Sequence, residues 1–365
     1  MANTYFFTGF PGFLATSLIK KIIHDQYEID HIYLLVLPNQ AQKALEEIGK
    51  IVKEEGISVE MFTVIKGDIT KPHLDIQPGL NESLHNKATH IFHLAAIYDL
   101  AVPKDIAYKV NVMGTKNVNE WVLNCQKIKR YIYFSTSYVA GTREGRILES
   151  QLEMNQSFKN HYERTKCEAE VLVQSLKDKV PTTIIRPGIV VGNSRTGETI
   201  KFDGPYFILN FFDRLKFLPI LPYLGQGRAK GNFVPVDYIF NATVYLGHAE
   251  VGIGKTYQLT DPKPYSAKEV YRMLMKEYLG KEPIGMIPLS FAKWFLSFSV
   301  FRKWVKVEKE ALDYFTCLAE YDCTQTEHDL RGSGITCPDF KEIIPPMVDY
   351  YRKHKNDKEK HLTIQ

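Results

Sequence analysis

The sequence predicts a doubly wound α/β fold, a parallel sheet with helices on both faces, carrying a smaller and mostly helical C-terminal part. Three observations predict it. An apolar strand, Thr4 to Phe7, runs into Thr8-Gly9-Phe10-Pro11-Gly12-Phe13-Leu14-Ala15 and then into a helical pattern. Further apolar runs of strand length alternate with helical segments as far as Ile185, the signature of parallel strands joined by right-handed crossovers. From Gly192 onward the texture changes to a polar loop and then to aromatic, amphipathic stretches.

In the first turn Gly9 permits a tight bend, Gly12 lets the backbone approach a pyrophosphate, and Ala15 keeps the helix close to its strand. Such a turn gathers free backbone N–H groups and the positive end of a helix dipole, a good place for a phosphate. Phe13, Leu14, Leu18, Ile19, Ile22 and Ile23 recur at helical spacing, so the turn does open a helix. Ile32 to Val36 is a continuous apolar run, read as a strand buried on both faces, followed by the turn Leu37-Pro38-Asn39 and a helix over Ala41 to Glu55. Met61 to Ile65 gives a third strand ending in Gly67-Asp68-Ile69-Thr70, and Ala88 to Leu94 a fourth ending in Ala95-Ala96. Both alanines are small enough for a flat ligand to pass over. Asp68 has two readings, acceptor for an adenine amino group or turn cap. Asn111 lies within the helical pattern Tyr108 to Cys125, where its amide suits a bond to a neighbouring backbone. Tyr131 to Phe134 and Thr182 to Ile185 complete six strands, with a helix over His161 to Leu176 between them.

Beyond Gly192, Asn232 to Asp237 and Thr256 to Leu259 look like short returns to strand, and Ser266 to Tyr278, Ser290 to Trp304 and Cys337-Pro338 to His354 like helices. The division is then 1–192 as a dinucleotide-binding domain with returning strands near 232–260, 193–231 and 261–355 as a cap, and 356–365 as a disordered tail.

With 46 basic and 42 acidic residues, a net charge of +4 gives no reason to expect nucleic acid as partner. Five scattered cysteines without a CxxC pair suggest neither a disulfide framework nor a metal site. No basic-plus-apolar leader is visible, and Lys293, Arg302 and Lys303 interrupt the longest apolar window, Ile284 to Val305. A cytoplasmic protein without an integral membrane segment is the expectation.

The chemistry centres on His161-Tyr162-Glu163-Arg164-Thr165-Lys166, a helix start with Asn160 as N-cap. Tyr162 and Lys166 share one face, one turn apart. An ammonium one turn away favours the phenolate and lowers the tyrosine pKa, making Tyr162 an acid-base group. The fifth strand ends in Ser135-Thr136-Ser137, hydroxyls at the sheet's carboxyl edge. A hydroxyl there can polarise a carbonyl while a tyrosine supplies or removes the proton; Ser135 and Ser137 read as turn caps.

The chain resembles the extended short-chain dehydrogenase/reductases, most closely the branch of fatty acyl-CoA reductases, male-sterility proteins and thioester reductase domains of carboxylic acid reductases. The matching residues are Thr8-Gly9-x-x-Gly12-Phe13-Leu14, Gly67-Asp68-Ile69-Thr70, His93-Leu94-Ala95-Ala96, Asn111-Val112-x-Gly114-Thr115, Ser135-Thr136-x-Tyr138-Val139, Tyr162-x-x-x-Lys166, Arg186-Pro187-Gly188-Ile189-Val190 and Val234-Pro235-Val236-Asp237. They follow the family order over about two thirds of the chain.

The resemblance implies a Rossmann domain and a catalytic triad of Thr136, Tyr162 and Lys166. It places the cofactor along Thr8, Gly9, Phe10, Pro11, Gly12 and Phe13 at the pyrophosphate and Asp68 and Ile69 at the adenine. Ala95, Ala96 and Asn111 follow, with Tyr162, Lys166, Pro187, Gly188 and Val190 near the nicotinamide. Leu37 and Asn39 stand where an arginine would mark NADP or an acid NAD; they carry neither signal, and the branch leans to NADP over NAD. No metal is implied.

The later segments supply Tyr206, Phe207, Phe211, Phe212, Phe217, Leu218, Trp294, Phe295, Phe298 and Phe301, which suit a lipophilic small-molecule substrate. Arg195 and Arg228 are candidates for a phosphate on it. The leading function is hydride transfer at a carbonyl or alcohol carbon of an acyl thioester, aldehyde or ketone. A sugar-nucleotide epimerase or dehydratase and a non-catalytic NAD(P)-binding sensor or scaffold are the alternatives. Phe291 to Val305, with aromatic and basic residues mixed, reads as a buried amphipathic helix, with peripheral membrane contact as the alternative; a homodimer stays open.

Overall fold

The computed structural model describes residues 2–99, 102–307 and 316–361. The first half runs β1 (Asn3–Thr8), α1 (Phe13–His24), β2 (Ile29–Val36), α2 (Ala41–Glu55), β3 (Phe62–Lys66), α3 (Pro78–Lys87), β4 (His90–His93), α4 (Lys104–Ala107), α5 (Gly114–Leu123), β5 (Arg130–Phe134), β6 (Gly145–Ile147), α6 (His161–Gln174) and β7 (Thr182–Pro187). There follow β8 (Ile189–Val191), α7 (Tyr206–Leu215), β9 (Tyr223–Leu224), β10 (Phe233–Pro235), α8 (Val236–His248), β11 (Thr256–Leu259), α9 (Ala267–Leu279), β12 (Met286–Ile287), α10 (Leu289–Phe295), α11 (Ser299–Val305), β13 (Ala319–Tyr321), α12 (Thr324–Asp329) and α13 (Phe340–His354).

Seven strands form a parallel sheet in the order β11-β7-β5-β4-β1-β2-β3. The chain builds outward from β1 in one direction, then crosses to β4 and builds in the other. The carboxyl ends of β1 and β4 therefore flank the switch point, where such sheets hold their ligands.

Alternation along the strands gives two cores. Tyr5, Phe7 and Leu34 pack with Leu18, Ile48 and Ile239 on one face, while Phe6, Leu35 and Ile91 pack with Leu84, Trp121 and Val173 on the other. A third core, with Phe212, Tyr271, Leu274, Met347 and Tyr351, joins α7, α9 and α13 beyond the sheet's carboxyl edge. α9 starts on a capping box between Ser266 and Glu269 and stops at Gly280, in the left-handed conformation.

Two expectations fail here. Ser290 to Trp304 is not one helix. α10 and α11 form a bent pair, with the Arg302 guanidinium donating to the Leu296 and Ser297 carbonyls at the bend (2.9 and 3.1 Å). The bend lets Leu296, Val305 and Val307 pack together on Phe207, which a straight helix would not allow. Nor are residues 356–361 loose: the Phe202 N–H donates to the Lys360 carbonyl at 2.7 Å, Lys360 Nζ donates to the Thr199 carbonyl at 2.7 Å, and the His361 ring packs edge-on to Phe202. The rest of the expected tail, 362–365, lies outside the described residues.

Asp213 of α7 fastens the helical layer to the end of α13. Its carboxylate accepts from Lys355 Nζ (2.7 Å), the Tyr278 hydroxyl (2.7 Å) and Lys216 Nζ (3.2 Å). Burial works against ionisation, but these donors outweigh it and bring the pKa down to about 2 from 3.8. A carboxyl whose folded pKa lies below its unfolded value stabilises the fold above the unfolded pKa and loses that contribution as pH falls toward the folded one. Urea unfolding between about pH 5 and pH 2 should show the wild type losing about 1–2 kcal/mol more than Asp213→Asn.

Candidate active site

At the end of β1, Gly9 has φ +90°, and a Cβ there would lie 2.8 Å from the Ala95 nitrogen and 2.9 Å from the Leu94 carbonyl carbon. The missing side chain lets the ends of β1 and β4 close on one another. The Gly12 N–H donates to the Gly9 carbonyl at 2.8 Å, and a Cβ on Gly12 would lie 2.6 Å from that oxygen. α1 then starts without a side-chain cap and without an acid in its first turn, leaving its positive end to a ligand. Thr8 braces the crossing: its hydroxyl pairs with His93 Nδ1 (2.8 Å) and accepts from the Ala95 N–H (3.2 Å). Burial lowers His93 to about 3, so its ring is neutral at physiological pH.

α6 begins as expected, with Asn160 Oδ1 accepting from the Glu163 N–H at 2.9 Å. Tyr162, in its first turn, is hydrogen-bonded to the Thr136 side chain. The tuning of Tyr162 differs from expectation. Lys166 Nζ donates to the Phe134 carbonyl (2.6 Å) and the Tyr133 hydroxyl (3.0 Å) rather than to Tyr162. Burial raises Tyr162 to about 12 despite the Thr136 bond and lowers Lys166 to about 7. Loss of hydration outweighs the Thr136 bond at the tyrosine and the Glu170 charge at the lysine.

Ser135 and Ser137 are not turn caps. The Ser135 hydroxyl donates to Glu170 Oε2 at 2.5 Å and the Ser137 hydroxyl to the Arg186 carbonyl at 3.0 Å. Arg186 and Glu170 are both fully buried. The guanidinium meets the carboxylate through Nε (3.0 Å to each oxygen) and an Nη (2.5 Å), and its other Nη donates to the Glu149 carbonyl at 3.2 Å. Burial pushes the Glu170 carboxyl up, but the Arg186 charge and the bonds from Arg186, Ser135 and Gln174 prevail and hold it below its usual value. The ends of β5 and β7 are thereby tied to α6 on either side of Thr136.

A cavity of about 1250 Å³ runs from this sheet edge into the helical layer. Of the sequence-predicted residues it brings together Gly9, Gly12, Phe13, Ala95, Ala96, Thr136, Tyr162, Lys166, Pro187, Gly188 and Val190. A Cβ on Gly188 would lie 2.6 Å from Asn232 Oδ1, so that turn too is held open by glycine. Thr8 and Phe10 are buried behind the wall, Pro11 sits outside it, and Leu37 and Asn39 are exposed beyond the end of β2. The Asp68 carboxylate accepts from the Thr70 N–H at 2.8 Å, the turn-cap reading. Ile69 packs against Gly114. Asn111 does not face the cavity: its amide is used by the Ile97 N–H (2.9 Å), the Ile97 carbonyl (3.0 Å) and Thr165 (3.0 Å), from a π-helical turn over Tyr108–Met113.

Phe207, Phe211, Leu218, Phe295 and Phe301 form part of the apolar wall. Tyr206 and Phe212 belong to the third core, while Phe217, Trp294 and Phe298 are exposed. Arg195 and Arg228 are exposed and outside the lining; Lys201 and Lys230 are the additional cations that reach it. Sequence reasoning missed these, together with Tyr98 and Asp203. Lys201 Nζ donates to the Tyr98 hydroxyl at 2.8 Å, and burial raises Asp203 to about 6 against the pull of Lys201. Tyr98 was within reach of the switch-point rule, since it follows Ala95-Ala96 off β4; the others lie on loops without periodicity.

The family model of male sterility proteins, an NAD-binding domain, matches residues 7–243. The chain belongs to the male sterility protein family. The matched model is an NAD-binding domain, in line with the resemblance to the extended short-chain dehydrogenase/reductases. Curated relatives include an alcohol-forming fatty acyl-CoA reductase of Simmondsia chinensis, 23% identical over 65% of this chain and 61% of its own length. Another is the non-canonical nonribosomal peptide synthetase cpsA of Aspergillus campestris, 26% identical over 79% of this chain and 28% of its own. The chain therefore spans only part of these relatives. The terminal R domain of the myxalamid biosynthetic pathway shares the fold, with a TM-score of 0.79 at 24% identity, covering 98% of this chain and 92% of that one.

The buried ion pair makes the sharpest prediction of this geometry. Arg186→Met leaves Glu170 charged and unmatched in the interior, and urea unfolding at neutral pH should show a loss of about 3–5 kcal/mol. The double variant Arg186→Met/Glu170→Leu, which removes both charges, should recover a large part of it.

Proposed function

We propose that the chain is an NAD(P)H-dependent reductase acting at the carbonyl carbon of a lipophilic acyl thioester, aldehyde or ketone. The observation that carries this reading is that Thr136, Tyr162 and Lys166 line the same cavity as the glycine turn, in a wall otherwise built largely from Phe, Leu and Ile side chains. The residues fit a dinucleotide: Gly9, Gly12 and Gly188 leave room that a Cβ would fill, and the uncapped start of α1 suits a pyrophosphate. When bound, the nicotinamide supplies the hydride.

The chain supplies the rest. Thr136 holds the substrate oxygen, and Tyr162, protonated throughout the physiological range, gives it the proton. Lys166, only partly protonated near neutrality on its own, would carry positive charge beside a bound nucleotide and the tyrosine. With an aldehyde or ketone, hydride and proton together yield the alcohol; with a thioester, hydride addition and departure of the thiol yield an aldehyde. The named activities of the relatives, alcohol-forming fatty acyl-CoA reductase and aldehyde reductase, support this substrate class. The apolar wall favours it over a sugar nucleotide. The branch resemblance favours NADPH, with Leu37 and Asn39 making neither cofactor obligatory.

The test is oxidation of NADPH and NADH by the purified chain with acyl-CoAs, aldehydes and ketones of graded length. We expect net consumption that rises with chain length, and a fall in kcat of about 100-fold or more in Tyr162→Phe. Turnover that survives this substitution overturns the mechanism, and tight nucleotide binding without net consumption returns the reading to an epimerase or a non-catalytic module.

A further inference from the structure

The loop between β8 and α7 lays Thr199, Ile200, Lys201, Asp203, Gly204 and Pro205 along the cavity wall. Both sides of Asp203 are anchored. Phe202 is fully buried; its N–H donates to the Lys360 carbonyl at 2.7 Å, and its ring packs among Tyr206, Tyr351 and His361. Gly204 has φ +54°, and a Cβ there would lie 2.7 Å from Ile189 Cγ2, so it is pressed against the strand that follows Gly188. The Asp203 carbonyl accepts from the Tyr206 N–H at 3.1 Å. Its carboxyl is thus held in place on the side of the cavity that Gly188 and Ile189 line.

This carboxyl is short of donors. Among the described residues no side chain donates to it: Lys201, the cation that pulls on it, gives its Nζ to the Tyr98 hydroxyl at 2.8 Å, and the bond the carboxylate does receive comes from its own backbone N–H. Burial raises the group to about 6, which leaves it mostly ionised at neutral pH. A carboxylate accepts several hydrogen bonds, and one kept from water without them is costly. Such a group in a cleft points to a ligand that completes it.

The surroundings favour one kind of ligand group. Lys201 already supplies positive charge within electrostatic reach of Asp203, so a cationic ligand group would meet repulsion as well as attraction. A neutral hydroxyl gains the charge-assisted bond without that opposition. The Lys201–Tyr98 bond also ties this loop to the segment leaving β4, where Tyr98 is close enough to act electrostatically on Tyr162. Asp203 therefore belongs to the reacting end of the cavity.

We infer that Asp203 is a specificity-determining residue that accepts a hydrogen bond from a hydroxyl on the substrate, a few carbons from the reacting carbon. The preferred substrate is then a hydroxylated chain rather than a plain hydrocarbon one. Its conversion rests on the proposed reductase activity; its recognition is a matter of binding alone.

Stable alcohols test this without turnover, since NADPH cannot pass hydride to an alcohol. By calorimetry, octane-1,3-diol should bind the NADPH-loaded protein about tenfold more tightly than octan-1-ol or octane-1,8-diol. The ratio is read within each variant, so a general loss of affinity does not mimic a loss of preference. Asp203→Leu should bring the 1,3-diol down to the level of octan-1-ol or below. Asp203→Asn, which keeps the size and one acceptor oxygen, should retain part of the preference and carries the test if the leucine variant does not fold. Equal affinities for octan-1-ol and the 1,3-diol in the wild type overturn the inference, as does an equal gain from the 1,8-diol or a preference unchanged in both variants. Tighter binding of 3-aminooctan-1-ol than of the 1,3-diol overturns it too, by making the ligand group a cation. Reduction of acyl-CoAs or aldehydes without this preference leaves the reductase reading standing, and the preference without any reduction removes only that reading.

Discussion

The arrangement around Thr136, Tyr162 and Lys166 depends on the buried pair between Arg186 and Glu170. Placing two full charges in a dry interior costs several kcal/mol per ion, and here the carboxylate is met by three guanidinium contacts and the Ser135 hydroxyl. Glu170 sits on α6 one turn beyond Lys166 and two beyond Tyr162, on the same face. Arg186 immediately precedes Pro187-Gly188, and its carbonyl receives Ser137. One ion pair thereby fixes the helix that carries the tyrosine and lysine, the strand end that carries the threonine, and the turn that Gly188 holds open. An apolar pair would fill the space but would not tie three elements by directed bonds.

This division explains what was legible in the sequence. The glycine turn was, because its constraint is local: a positive φ at Gly9 and a close approach at Gly12 each admit one residue type. The strands were legible from their apolar runs; their order in the sheet was not, since crossover rules narrow the topologies without choosing one. The roles of Ser135 and Ser137 were not, because their partners lie 35 and 49 residues away and a hydroxyl at a strand end looks the same in either role. Asn111 shows both outcomes. Its backbone-bonding role was readable from its place in a helix, whereas its particular partners, Ile97 and Thr165, were not, being 14 and 54 residues away. The bend in α10–α11 and the docking of Lys360 were invisible for the same reason as the serines: each is set by contact with 199–207, far away in sequence.

The two unusual ionisations bear on the direction of the proposed reaction. A tyrosine at about 12 is a phenol at neutral pH and can give a proton as it stands. To take one from an alcohol it would first have to become a phenolate, which burial opposes. The group able to offset that cost is a charged Lys166, but at about 7 it is only partly protonated near neutrality, and its bonds run to Phe134 and Tyr133. A bound dinucleotide brings negative charge to the same wall and so favours the ammonium form. Lowered phenolate stability in the protein alone thus disposes the site toward proton donation, while the charge state of Lys166, set by what occupies the glycine turn, decides how far the reverse transfer is open.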